Sequence, residues 1–120
     1  MPPSVPKTIY HLVEAAEFEA LAPDDDYRPA RFAEEGFIHA TAEPAWVERV
    51  AGWVLPEDVG PVYVLEIDTG RVRAAIVMEE AAGHWFPHIY GPLNRDAIRR
   101  IGTLERDAGG FRFPTTWRTA

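Results

Sequence analysis

The segment Phe86-Pro87-His88-Ile89-Tyr90-Gly91-Pro92-Leu93 limits what this chain can fold into more than any other stretch. Proline fixes φ near about −65° and lacks an N–H, so Pro87 and Pro92 hold the backbone extended and exclude a helix. Gly91 admits a close approach by backbone or ligand, where a Cβ would obstruct. In an extended chain side chains alternate, which puts His88 and Tyr90 on one face and Ile89 on the other. One face can anchor in a core while the other presents two polar aromatics to a cleft. The competing reading is a wall loop whose aromatics pack only for stability.

At 120 residues, 47% of them hydrophobic, the chain has the size of one domain and can bury a core without staples. The absence of cysteine excludes a disulfide scaffold, a thiolate nucleophile and any Cys-containing zinc site. No stretch approaches the roughly 20 apolar residues of a membrane span, so no membrane association is expected. Met1 to Lys7 has neither the charged nor the apolar region of a signal peptide and reads as a short stiff tail. A cytoplasmic protein is the expectation. The net charge of −7 speaks against nonspecific nucleic-acid binding, which depends on Lys and Arg displacing phosphate counterions. Local basic pockets stay open: Arg28 and Arg31 bracket Pro29, and Arg95, Arg99 and Arg100 form a second cluster. Asp24-Asp25-Asp26 reads as a solvated loop, without the alternating ligands, central Gly and terminal Glu of a calcium loop.

Thr8 to Leu12 alternates β-branched and aromatic residues and predicts a first strand, followed by helical composition from Glu14 to Leu21. Arg31 to Glu35 predicts a turn of helix closed by Gly36 as C-cap, and Phe37 to Ala40 a second short strand. Thr41 is the expected N-cap of a helix with Pro44 in its first turn, running to about Trp53. Its core stripe is expected to be Trp46, Val50, Trp53 and Val54. Val62 to Ile67 predicts a buried strand, expected to form a hairpin with Val72 to Met78 through Asp68-Thr69-Gly70. Asn94 can cap one turn through Ile98. Ile101 to Glu105 then faces Phe111 to Phe113 in a terminal hairpin. The sum is an α+β domain with two or three short helices and a mostly antiparallel sheet.

The four histidines, 11, 39, 84 and 88, are the groups best suited to chemistry near neutral pH. Phe37, His39 and Thr41 share one face of the second strand, a ring, an imidazole and a hydroxyl in a row that suits a ligand cleft. The competing reading of His39 is a core histidine satisfied by a carbonyl. His84 and His88 lie four apart, but Pro87 between them argues against a helix that would pair them on a metal, and no His-Glu-x-x-His occurs. The glycine-rich dinucleotide and phosphate loops and the Gly-x-Ser-x-Gly elbow are absent. Ser4 is the lone serine and sits in the tail.

Ile9-Tyr10-His11, Glu35-Gly36-Phe37-Ile38-His39-Ala40-Thr41, Leu65-Glu66-Ile67-Asp68 and Phe86 to Leu93, in this order, resemble the bacterial domain-of-unknown-function family 952. The resemblance runs from about Thr8 to Pro114, so 8–114 is taken as the single domain and 1–7 and 115–120 as short tails. It implies a split antiparallel α+β fold similar to ADP-ribosyltransferases, which bind NAD in a cleft between two small sheets. It further implies that His39 and Thr41 hydrogen-bond ribose and nicotinamide amide, with His11 competing with His39 for the histidine role. Breaking the nicotinamide bond develops positive charge on the ribose, which calls for a carboxylate nearby. Glu79 is the best candidate and Glu80 its neighbour. Phe37 or Tyr90 could stack, His88 completes the lining, and Arg28 or Arg31 could hold pyrophosphate.

The expectation is therefore a small protein with an NAD- or nucleotide-binding cleft and ADP-ribosyltransferase-like transfer or NAD cleavage, with no metal. Two other classes stay open: a noncatalytic module that binds a small molecule or protein through the same cleft, and a metal-dependent hydrolase using the histidines.

Overall fold

A computed structural model describes residues 1–120. Strand β1 (Thr8–Glu14) runs straight into helix α1 (Ala15–Ala20); α2 (Phe32–Glu35), β2 (Ile38–His39) and α3 (Pro44–Val54) follow. The second half is β3 (Val62–Asp68), β4 (Ala75–Ala81), β5 (His84–Tyr90), β6 (Ile98–Thr103), β7 (Glu105–Asp107), β8 (Gly110–Arg112) and β9 (Trp117–Thr119). These strands make a four-stranded antiparallel sheet, β1-β3-β6-β9, a three-stranded one, β2-β5-β4, and the β7-β8 hairpin. The fold is thus α+β with its strands split between sheets.

Alternation along β1 and β3 divides the interior. Ile9, Val13, Leu65, Ile67 and Ile101 of the first sheet join Ile38 and Ile89 of the second in the larger core. Val62 and Val64 point the other way and pack with Leu104 beneath Val47 and Ala51 of α3. The first sheet is therefore covered on both faces. On the α3 side the buried carboxylate of Glu66 is paired with Arg100 at 2.9 Å, which keeps that charge from standing uncompensated.

Several local predictions meet their elements. Gly36 closes α2 at φ 79°, the left-handed conformation that glycine adopts without a Cβ penalty, and Pro44 opens α3. The extended segment is β5, with Ile89 fully buried and His88 and Tyr90 on the opposite face.

Others are corrected. The hairpin predicted between 62–67 and 72–78 does not form: β3 lies between β1 and β6, and β4 pairs with β5 in the other sheet. Thr69–Arg71 is a single 3-10 turn that carries the chain from one sheet to the other, and the real hairpin turn is Ala82-Gly83, at φ 53° and 75°. Thr41 does not cap α3, because its backbone is used in a bridge to Tyr10 and Glu43 holds the cap position. Nor is the helix stripe Trp46, Val50, Trp53 and Val54 the core face. Val47 and Ala51 are buried, while Trp53 and Val54 are exposed, since small side chains let the helix lie close on the sheet. The terminal hairpin is β7-β8, whereas Ile101 belongs to β6. The stretch expected as a tail from 115 carries β9, which pairs with β6 from Arg100 to Gly102.

Candidate functional site

The two sheets part along the outer edge of β1. The backbone of that edge is bridged to the chain just beyond β2, where Tyr10 and Thr41 exchange both backbone hydrogen bonds at 2.8 Å each. Beyond that point opens a cleft of about 330 Å³ with β1 as its floor, α2 and residues 29–31 on one side and α3 on the other.

His11 belongs to that floor. Its Nδ1 lies 2.5 Å from the His39 carbonyl and its Nε2 2.8 Å from the Tyr27 hydroxyl. A carbonyl only accepts, so Nδ1 carries the proton and donates, and Nε2 accepts from Tyr27. Burial pushes the imidazole down to about 4, which keeps it neutral, and pushes the Tyr27 phenol up. With both nitrogens occupied, His11 ties the sheets together rather than offering a free group to a ligand.

Thr41, Phe37, His39 and Arg31 do converge on the cleft. The His39 ring is largely exposed, and its Nε2 meets Glu35 Oε2 at 3.1 Å across the Gly36 turn. Phe37 is the common wall. His88 stacks on it at 4.4 Å and 21°, while His39 and Tyr90 approach it at 4.7 and 5.2 Å.

Glu79, His88 and Tyr90 form a separate group behind that wall. Glu79 Oε1 accepts from the Tyr90 hydroxyl and from His88 Nδ1, both at 2.6 Å. The Tyr90 bond, then that of His88, holds the Glu79 carboxyl below its usual range, and the same carboxylate pushes the Tyr90 phenol up. None of the three lines the cleft, and Arg28 is exposed outside it. Tyr27, Tyr10 and Glu35 are site residues that sequence reasoning missed. For Glu35 the four-residue spacing to His39 was available as a signal; nothing local marks Tyr27. His84, the remaining histidine, stacks on Trp46 at 3.8 Å. No three His, Asp or Glu side chains converge as a metal-ligand set.

Comparison with known proteins agrees with this architecture. The family model for a protein of unknown function, DUF952, matches residues 12–101, and the chain belongs to that family. The crystal structure of CC0527 from Caulobacter crescentus is similar at a TM-score of 0.73 and 24% identity, over 90% of this chain and 93% of that one. The solution NMR structure of CC0527 superposes at 0.69, also at 24% identity, over 91% of this chain and 92% of that chain. These likenesses establish a shared fold. No curated protein matches the sequence.

Proposed function

We propose that this DUF952 protein binds a nucleotide of the NAD type in the cleft between its two sheets. The observation that carries the reading is the convergence of an aromatic wall, Phe37, with the His39 imidazole, Thr41 and the Arg31 guanidinium on one concave site. A mostly apolar cavity with a few convergent polar groups is the usual form of a small-molecule site. At about 330 Å³ it suits the nicotinamide and ribose, leaving the pyrophosphate at the rim where Arg31 stands. The split α+β architecture is compatible with the ADP-ribosyltransferase-like arrangement that the sequence motifs imply.

Cleavage or transfer of the nicotinamide bond is the finer form of this reading. His39 and Thr41 would orient the ribose. Glu79 would act on the cleft only through its hold on His88, which stacks on Phe37. A noncatalytic nucleotide-binding module is favoured by two specific observations: His11 has both nitrogens engaged, and Glu79 shares one oxygen between two donors. Titration with NAD against His39→Ala tests the binding, and chromatography of the mixtures for free nicotinamide separates enzyme from module.

A further inference from the structure

Strand β1 is the edge of its sheet, and only part of that edge is covered. Tyr10 spends its N–H and C=O on Thr41, away from β3. In an antiparallel ladder both groups of a residue point to the same side and successive residues alternate, so those of Leu12 point the way Tyr10's do, into the cleft. After Thr41 the chain leaves the edge for α3, and no group of the protein meets the N–H or C=O of Leu12. An unpaired strand edge is a template for another strand.

This edge is not flat and open, since Tyr10 to Glu14 form the floor of a groove in which Val50, Val54 and Leu55 make an apolar wall. The groove carries three carboxylates, Glu14, Glu17 and Glu35, against one guanidinium, Arg31. Glu17 accepts from the backbone N–H of Ala30 and Glu35 meets His39, but no Lys or Arg neutralises any of the three. Along the Leu12, Glu14 and Glu17 stretch of the cleft a complementary occupant therefore brings its own backbone donors and acceptors, apolar side chains on alternate positions, and positive charge, and it would compete with a nucleotide held at His39, Thr41 and Arg31.

We infer that the groove docks an extended basic peptide segment, with Lys or Arg alternating with apolar residues, which adds to β1 at Leu12. Main-chain bonds to Leu12 supply the pairing, α3 receives the apolar side chains, and Glu14 and Glu17 select the charge. This goes beyond the nucleotide reading and does not depend on it, because Leu12, Glu14, Glu17 and Val54 carry it rather than His39 and Thr41.

The test uses four acetylated, amidated hexapeptides: alternating Val-Lys, alternating Val-Glu, and two Val-Lys peptides with alternate amides N-methylated, one for each register. NMR titration of the whole protein reads binding, and amide exchange reads the Leu12 N–H. Expected are saturable binding of the Val-Lys peptide, slowed exchange at Leu12, and at least tenfold weaker binding of the Val-Glu peptide and of one N-methylated register. Weakening of several-fold is expected in a Glu14→Gln, Glu17→Gln double variant, which keeps the Ala30 acceptor. Unchanged Leu12 exchange, or equal binding by both N-methylated peptides, would overturn strand addition; equal binding of Val-Glu would overturn the charge selection. A protein that binds NAD and ignores the Val-Lys peptide sinks this proposal alone, and the reverse result sinks only the nucleotide reading.

Discussion

The His11 side chain bonds the backbone of His39: Nδ1–H donates to the His39 carbonyl over 2.5 Å, joining the edge of the four-stranded sheet to the first strand of the three-stranded one. Tyr27 completes the link from the other nitrogen. The cleft begins at this seam, so the groups that hold the seam also set the distance between its walls.

Acid should therefore weaken the protein through His11. Its folded value is lowered from 6.5 to about 4, so the unfolded chain takes up the proton first. The stability is fully present above about pH 6.5 and is lost as pH falls toward 4, in all about 3 kcal/mol. Urea titrations at a series of pH values check this, with His11→Gln expected to flatten that part of the profile.

Removing the Tyr27 hydroxyl should leave the His11 Nε2 acceptor buried and unpaired. Tyr27→Phe is expected to cost about 1–3 kcal/mol, the usual penalty for such a group, with the same cooperative transition. Denaturant midpoints at constant slope provide the measurement.

A Cβ on Gly91 would lie 2.8 Å from the Ala74 Cβ, a side chain with no rotamer to yield. Gly91→Ala should destabilise by about 1–3 kcal/mol through overpacking, read as a lowered thermal midpoint. The close approach that this glycine permits is to the Ala74 side chain, one residue beyond the Ala75/Tyr90 end of the β4-β5 pair, rather than to a ligand.

The Glu79 carboxyl should titrate below the ordinary glutamate range, and Tyr90→Phe should move it back up, because the Tyr90 hydroxyl is the larger cause of the shift. Carbon-detected NMR of the Glu79 carboxyl through an acid titration would show both. A Glu79 that titrates unchanged in Tyr90→Phe would contradict the assignment.

Local chemistry in the chain announced many of its elements and fewer of its pairings. Gly36 marks the end of α2 by its conformational freedom, and Pro87 with the His88, Ile89, Tyr90 alternation marks β5 and its two faces. Strand pairing depends on which sheet a turn feeds. Asp68-Thr69-Gly70 has the composition of a hairpin turn yet passes the chain between sheets, while Ala82-Gly83 makes a hairpin without an Asn or Asp to signal it. The α3 stripe misled because indole size suggests burial, whereas close packing on the sheet selects Val47 and Ala51. At the site, the strand pattern placed Phe37, His39 and Thr41 together. It could not separate Glu79 and His88 from the cleft, because Phe37 divides them only in three dimensions.

Calorimetric titration of the protein and of His39→Ala with NAD, each mixture assayed for released nicotinamide, tests the central claim most directly. Saturable heat from the native chain, lost in His39→Ala, is the predicted result, and nicotinamide release would add catalysis to binding. No heat at millimolar NAD, or undiminished binding by His39→Ala, would contradict an NAD-type site in this cleft.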